Sequence, residues 1–200
     1  MVYSDELVLA THNQGKVREI IPYLGAFFPR ITCAADHDIT DIAETEKTFQ
    51  GNAQLKAEHV AQKTNRIALA DDSGFCVRAL NGFPGVYSAR WAQSDIGERD
   101  FSLAMNKVYD KVKESDDRAC YFISVLALAF PDDRETMFFE GRVGGYISWP
   151  PKGDKGFGYD PIFRPDGYDM TFAQMEPEDK QKISHRTQAL NGLIAYLNNG

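Results

Sequence analysis

The sequence predicts an α/β fold with a mixed β-sheet flanked by helices, and three observations predict it. Residues 6–10 form a short apolar run that is followed by a turn and a helical pattern, the opening of an α/β unit. Residues 66–70 form a second apolar run, typical of a buried strand. Two longer segments, 119–130 and 135–149, are separated by a turn and indicate a hairpin, which a purely parallel sheet does not contain.

The remaining elements follow from periodicity. Residues 31–35 read as a further strand, and residues 75–80 as a continuation of the strand at 66–70. Helical spacing of apolar residues predicts helices over 17–24, 48–63, 98–113 and 184–197. The second of these helices also carries a polar stripe, whose simplest interpretation is a solvated face, formed by Asn52, Lys56, His59 and Lys63.

Length and charge limit the classes of partner. The chain has 200 residues, 43% of them hydrophobic, and a formal net charge of −7. This length suits one domain with a buried core. The negative charge disfavours binding to nucleic acid or to an anionic membrane, whereas a small phosphorylated ligand needs only a local group of cations.

The cysteines and the apolar runs indicate a cytoplasmic protein. Cys33, Cys76 and Cys120 are far apart and lack metal-ligand spacing, so we expect reduced thiols in the core. Residues 1–6 have no basic or apolar signal-type character. The longest apolar run, 119–130, is far short of the roughly 20 residues of a membrane helix.

The loop after the first strand is a candidate phosphate site. Backbone N–H groups at a helix N-terminus favour an anion, and Lys16 adds a full positive charge. The spacing is not that of a P-loop, and an ordinary turn explains the loop equally well. Its residues are Thr11, His12, Asn13, Gln14, Gly15 and Lys16.

Two adjacent carboxylates, Asp71 and Asp72, come directly after the buried run at 66–70. Neighbouring side chains of an extended segment point to opposite faces, so we expect one of the two to face a site. Carboxylate oxygens are ligands for a hard cation such as Mg²⁺, which also binds substrate phosphates and water.

Two later segments add aromatic and basic groups. Glycines flank Phe157, which suits a ring presented for stacking on a nucleobase, although a turn with a core phenylalanine is the alternative. Ser184 is a suitable N-cap for the last helix. His185 and Arg186 then fall in the first turn, where cations are unfavourable, so we expect an anionic or acceptor-bearing partner.

Taken together, these segments resemble the inosine triphosphate pyrophosphatase family. The resemblance covers nearly the whole chain through motifs in the same order: LATHNQGKVREI from Leu9, ETEKTFQGNAQLKA from Glu44, LADDSGFCVRALNGFPGVYSAR from Leu69, GFGYDPIF from Gly156 and KQKISHRTQAL from Lys180. It implies an elongated two-lobed α/β fold with a central mixed β-sheet, in which residues 1–200 form a single domain with a cleft between its lobes. It also implies a homodimer.

The activity implied by the resemblance is Mg²⁺-dependent hydrolysis of deaminated purine nucleoside triphosphates. ITP, dITP and XTP would be cut to the monophosphate and pyrophosphate, which keeps them out of DNA and RNA. Asp72 would be the catalytic carboxylate and a metal ligand, and Glu44 a second acidic group at the metal. The triphosphate would be held by Lys16, Lys56 and the backbone of residues 11–15.

The same resemblance assigns the rest of the substrate site. Ser73 would touch the substrate, and the base pocket would comprise Phe157, Gly158, Tyr159, Asp160, Lys180, His185 and Arg186. Four positions depart from the family pattern: His12 in place of Gly, Gln50-Gly51 in place of an acidic pair, Lys155 in place of Gly and Gln174 in place of Glu. A side chain at position 12 restricts the loop backbone, so substrate affinity is expected to differ.

Three alternatives stay open at this point. The substrate class could instead be modified pyrimidine nucleotides, or the protein could bind nucleotides without turnover, which the acidic groups Asp71, Asp72 and Glu44 argue against. A nucleic-acid-binding module is the weakest alternative, because the chain is acidic and has no basic stripe. The sequence leaves undecided which of Asp71 and Asp72 is the proton acceptor.

Overall fold

A computed structural model of the chain describes residues 5–94 and 99–199. Its strands are β1 (Glu6–Leu9), β2 (Arg30–Cys33), β3 (Ile67–Val77), β4 (Ala119–Ala129), β5 (Met137–Ile147) and β6 (Phe163–Pro165). Its α-helices are α1 (Gln14–Leu24), α2 (Phe49–Thr64), α3 (Ser88–Trp91), α4 (Phe101–Val112), α5 (Pro177–Ile183) and α6 (His185–Asn199).

The strands form one mixed sheet in the order β2-β1-β3-β4-β5-β6. β1 lies between two parallel neighbours, with Val8 opposite Thr32 of β2 and Ala68 of β3. β5 and β6 pair antiparallel, with Tyr146 opposite Arg164. The predicted mixed sheet flanked by helices is therefore confirmed, and β4 and β5 are neighbours as the hairpin pattern indicates.

The described residues divide into two compact units. Those of the first unit fall within Met1–Asp72, Ser124–Gly141 and Arg186–Gly200, and those of the second within Ser73–Ile123 and Arg142–His185. In the first unit, apolar residues of α1 and α6 pack with β1, β3 and β4 around Leu7, Leu69 and Leu190. In the second, α4 packs with an aromatic group centred on Phe75, Phe122 and Phe163. Each unit therefore buries an apolar core of its own.

Several element boundaries differ from the expectations. The strand predicted at 66–70 and its continuation predicted at 75–80 belong to one 11-residue strand that runs through Asp71 and Asp72 to Val77, so the interruption predicted at Asp71 was wrong. Both carboxylates are buried and paired, which permits acidic residues inside a strand. The helix predicted from 98 begins at Phe101, because the Asp100 carboxylate accepts from the Ser102 N–H at 2.8 Å and caps it; position 98 lies outside the described residues.

None of the helices in residues 5–94 and 99–199 is both long and apolar enough to cross a membrane. The longest, α2, has 16 residues and carries Asn52 and Lys56 on one face.

Candidate active site

Side chains fix the loop between β1 and α1. The carboxamide oxygen of Asn13, the N-cap of α1, accepts from the N–H groups of Gly15 at 2.9 Å and Lys16 at 3.3 Å. The Asn13 N–H in turn donates to the Thr11 hydroxyl at 3.1 Å. Two of the amides expected to face a phosphate are therefore used by the cap in this structure, while Gln14 begins the helix with an exposed side chain.

The imidazole of His12 lies against the segment that follows residue 38. Its Nδ1 is 2.5 Å from the Asp41 carboxylate, and its Nε2 is 2.9 Å from the Ile39 carbonyl oxygen. The side chain of this residue therefore contacts protein acceptors, and only its backbone belongs to the loop that the sequence assigns to the triphosphate.

The ammonium group of Lys56 bridges two carboxylates. Its Nζ donates to Glu44 Oε1 at 2.7 Å and to Asp72 Oδ1 at 3.1 Å. It also donates to the backbone oxygen of Asp71 at 3.1 Å, an acceptor that Lys16 Nζ shares at 3.1 Å. Four residues singled out from the sequence, Lys16, Glu44, Lys56 and Asp72, are therefore brought together.

Asn52 completes this group, although the sequence argument did not select it as a site residue. It is fully buried, its amide nitrogen lies 3.3 Å from Asp72 Oδ2, and its amide oxygen accepts from the Glu46 N–H at 3.0 Å. It lies one helical turn before Lys56 on α2. Its spacing from Lys56 on one helix face could have identified Asn52 as a site residue. It was missed because we interpreted the polar stripe on α2 as a solvated face.

Asp71 faces a different set of partners from Asp72. Its carboxylate binds the guanidinium of Arg186 and accepts from the Ser124 hydroxyl at 3.3 Å, and Lys16 Nζ lies 3.7 Å away. Arg186 also binds the Glu19 carboxylate. Two protein carboxylates are therefore the anionic partners of Arg186 in this structure, and its place in the base pocket stays a prediction.

Burial and neighbouring charges shift the acid–base properties of this group. Burial raises the pKa of the Asp72 carboxyl above its ordinary value, and Glu44 adds to the rise against the opposing effect of Lys56 and Lys16. The pKa of Glu44 is lowered, because Lys56 outweighs the burial of its carboxyl. The two carboxylates therefore differ in proton affinity, with Asp72 the more basic relative to its ordinary range.

The lysines and the arginine are shifted in different directions. Burial lowers the pKa of Lys16, and the nearby cations Lys56 and Arg186 add to that shift. Burial also disfavours the Lys56 charge, but Asp72 and Glu44 outweigh it and raise the pKa of Lys56. The carboxylates of Asp71 and Glu19 likewise overcome burial and raise the pKa of Arg186.

The carboxylate oxygens of Glu44 and Asp72 are candidate ligands for a divalent cation. Within residues 5–94 and 99–199, no group of three or more His, Cys, Asp or Glu side chains is placed to hold a metal. Glu44 and Asp72 nevertheless converge on one ammonium group and interact with each other. Two carboxylates fit Mg²⁺, which completes its shell with water and substrate phosphates rather than with a full protein cage.

A second group of predicted residues lies in the second unit. Lys180 Nζ donates to Asp160 Oδ2 at 2.6 Å, and both side chains are buried. The same carboxylate oxygen accepts from the Phe157 N–H at 2.9 Å, and the Lys180 ammonium lies 4.9 Å from the centroid of the Phe157 ring. Gly156 has a φ of +73°, and a Cβ there would fall 2.1 Å from the Asp160 carboxylate.

Three further residues assigned to the base pocket have other surroundings. Tyr159 is buried, donates to the Ser88 carbonyl at 2.9 Å and stacks on Phe75 with centroids 4.9 Å apart. His185 is buried and stacks on Phe122 at 5.0 Å. These side chains form part of the core of the second unit, whereas the Phe157 ring is 39% exposed. Gly158 follows with a φ of +71°.

Comparison with known proteins agrees with these motifs. The Ham1 family profile matches residues 7–196. A protein of Caulobacter vibrioides named dITP/XTP pyrophosphatase is 48% identical over 194 residues, covering 96% of this chain and 97% of the relative. A protein of the same name from Zymomonas mobilis is 47% identical over 194 residues, covering 94% of this chain and 90% of the relative.

Solved structures give the same result. The Ham1 protein of Staphylococcus aureus superposes with a TM-score of 0.87 at 39% identity, covering 97% of this chain and 98% of that one. A HAM1 protein from Coxiella burnetii superposes with a TM-score of 0.89 at 36% identity, covering 98% of this chain and 100% of that one. The resemblance drawn from the sequence motifs is thus confirmed, and the chain belongs to the Ham1 family.

Proposed function

We propose that this enzyme hydrolyses non-standard purine nucleoside triphosphates of the ITP, dITP and XTP type to the monophosphate and pyrophosphate. The observation that carries the proposal is the convergence of Lys16, Lys56, Glu44 and Asp72 on one buried point of the first unit. Paired lysines suit an anionic substrate, and a carboxylate of raised pKa beside them suits proton transfer. The names of the relatives from Caulobacter vibrioides and Zymomonas mobilis support the substrate class.

In this proposal Asp72 is the proton acceptor. Asp71 is bound to Arg186, Ser124 and Lys16, so its charge is already neutralised inside the protein. Asp72 has a raised pKa, and its two oxygens face Lys56 and Asn52. It would take the proton of the water that attacks the α-phosphorus, while pyrophosphate leaves.

Lys16 and Lys56 would hold the phosphates. Lys16 Nζ donates to the Asp71 carbonyl oxygen and retains further N–H groups that can donate to a phosphate oxygen. Lys56 donates to Asp71, Asp72 and Glu44, so it would exchange at least one of these acceptors for a phosphate oxygen. As negative charge shifts toward the leaving pyrophosphate, both ammonium groups would stabilise it.

Glu44 and Asp72 are the residues that would hold Mg²⁺, which when bound neutralises phosphate charge and polarises water. The lowered pKa of Glu44 keeps that carboxylate ionised near neutral pH, as a metal ligand must be. Lys56 contacts both carboxylates, so we expect its ammonium group to shift toward phosphate oxygens when a cation is present.

The group formed by Phe157, Asp160 and Lys180 is proposed to select the base. The exposed Phe157 ring offers a stacking face, and the Lys180 ammonium can donate to the C6 oxygen of hypoxanthine or xanthine. Adenine presents an amino donor at C6, which leaves that ammonium unsatisfied and disfavours ATP by roughly tenfold or more. The guanidinium of Arg186 is already bound to Asp71 and Glu19, so Lys180 is the stronger candidate for this donor.

A product assay tests the reaction. The protein is incubated with ITP, XTP, GTP and ATP in Mg²⁺ or in EDTA, and the products are separated by anion exchange. We expect IMP or XMP with pyrophosphate, only in Mg²⁺, and little reaction of GTP and ATP. Release of orthophosphate and a nucleoside diphosphate would contradict cleavage at the α-phosphorus.

A matched pair of variants tests the role of Asp72. Asp72→Asn removes the proton acceptor and should lower kcat by roughly 10²-fold or more. Asp132→Asn makes the same chemical change at an exposed residue of the first unit that is bound to Arg134, and it should keep the parent kcat. Near-normal turnover by folded Asp72→Asn would show that Asp72 is not the base.

We also propose that the protein acts as a homodimer in the cytoplasm. The dimer is an implication of the family, and light scattering should give twice the mass of one chain. Cys33, Cys76 and Cys120 are free thiols, which supports a reducing compartment.

A further inference from the structure

The imidazole of His12 lies between two hydrogen-bond acceptors. Its Nδ1 is 2.5 Å from the Asp41 carboxylate and its Nε2 is 2.9 Å from the Ile39 carbonyl oxygen. A neutral imidazole has one N–H and can donate to only one of them, whereas the imidazolium donates to both. The geometry therefore fits the protonated ring.

Both acceptors belong to the segment that carries Glu44. Residues 39–48 contain no helix or strand and connect a short helical turn to α2. Within this segment, Glu44 contacts Lys56 and the Glu46 N–H donates to Asn52. His12 supplies the contact between this segment and the loop at residues 11–16, so all three contacts bear on the same irregular stretch.

Within the described residues, the charged group in contact with the imidazole is the carboxylate of Asp41, whose side chain is 73% exposed. The ammonium groups of Lys16 and Lys56 bind Asp71, Asp72 and Glu44 instead. The imidazole therefore acts on the segment at residues 39–48 through Asp41 and the Ile39 carbonyl oxygen.

We propose that His12 is a positioning residue that fastens the loop at residues 11–16 to the segment at residues 39–48 and thereby strengthens substrate binding. This inference rests on the proposed function of that loop. Both ring nitrogens contact the segment, so removal of the imidazole removes both contacts at once.

Steady-state kinetics with ITP at saturating Mg²⁺ test the proposal. His12→Gly should raise KM by about two- to fivefold, the size expected for loss of an exposed ion pair, with kcat changing little. Asp41→Asn, which keeps the side-chain shape, should raise KM in the same way.

His37→Gln is the matched control, because His37 also lies near a carboxylate, that of Glu6 at 3.5 Å, and bonds Thr32 of β2. It should keep the parent KM.

The outcomes separate this inference from the proposed function. No hydrolysis of ITP by the parent enzyme would refute the proposed function. Hydrolysis with the same KM in the parent, His12→Gly and Asp41→Asn proteins would refute the positioning role alone.

Discussion

Lys56→Met is the most informative perturbation of the site, because one ammonium group holds two carboxylates. Its Nζ lies 2.7 Å from Glu44 and 3.1 Å from Asp72, and the Lys56 side chain is only 14% exposed. Removing one partner of a buried ion pair typically costs about 3–5 kcal/mol in unfolding free energy. Because Glu44 is partly exposed and Lys16 remains nearby, we expect about 3 kcal/mol at pH 8.

The loss should depend on pH in a defined direction. The pKa of Asp72 is already raised in the folded protein, mainly by burial, and Lys56 opposes that rise. Without Lys56, the pKa of Asp72 in the folded protein rises further above its value in the unfolded chain. The loss of unfolding free energy is therefore complete at pH values above the folded-state pKa, and it disappears as Asp72 becomes protonated at lower pH. Lowering the pH from about 8 to about 5 should therefore recover part of the deficit.

Urea unfolding of the reduced protein at both pH values measures this effect. Lys63→Met, the same change on the exposed face of α2, is the control and should alter the unfolding free energy by less than about 0.5 kcal/mol. An equal deficit for Lys56→Met at both pH values would refute the reasoning, since it would show that no carboxyl group takes up a proton when the ammonium is removed.

Three further results are expected. Asn52→Ala should lower the unfolding free energy by about 1–3 kcal/mol and reduce kcat, because a buried Asp72 oxygen loses its amide donor; denaturation and steady-state kinetics measure the two effects. In the parent enzyme the acid limb of the kcat–pH profile should lie above the range of an ordinary aspartate, since the pKa of Asp72 is raised, and a limb at the ordinary value would exclude that carboxyl. Lys180→Gln, which breaks a buried pair with Asp160, should lower Tm by far more than Lys155→Gln, which breaks an exposed pair, and equal shifts would contradict the burial argument.

Periodicity predicted most of the fold, because long elements repeat their apolar residues often enough to be recognised. It could not distinguish the two uses of the stripe on α2, since Asn52 and Lys56 have the same spacing whether they face water or a carboxylate. The partner that makes Asn52 a buried residue is Asp72, 20 positions away on another element.

Asp71 and Asp72 show what local sequence patterns can and cannot predict. Alternation along an extended chain predicted different surroundings for Asp71 and Asp72, and the structure has Arg186 on one and Lys56 on the other. The same motif suggested that the strand ends, because turns are rich in aspartate. Tertiary ion pairs override that preference. Local rules do not predict them, because the partners are distant in sequence: Asp71 and Arg186 are more than 100 positions apart.

The ion pairs of Arg186 also determine when the first unit can be completed during synthesis. Arg186 is 115 residues from Asp71 and 167 from Glu19 along the chain. Because synthesis proceeds from the amino end, Glu19 and Asp71 leave the ribosome long before Arg186. Until α6 emerges, the carboxylates of Asp71 and Glu19 lack their guanidinium partner, and the apolar core of the first unit lacks Leu190 and Leu193. Closure of this unit is a late, long-range step of folding, and an arrested chain lacking α6 is a natural substrate for chaperones.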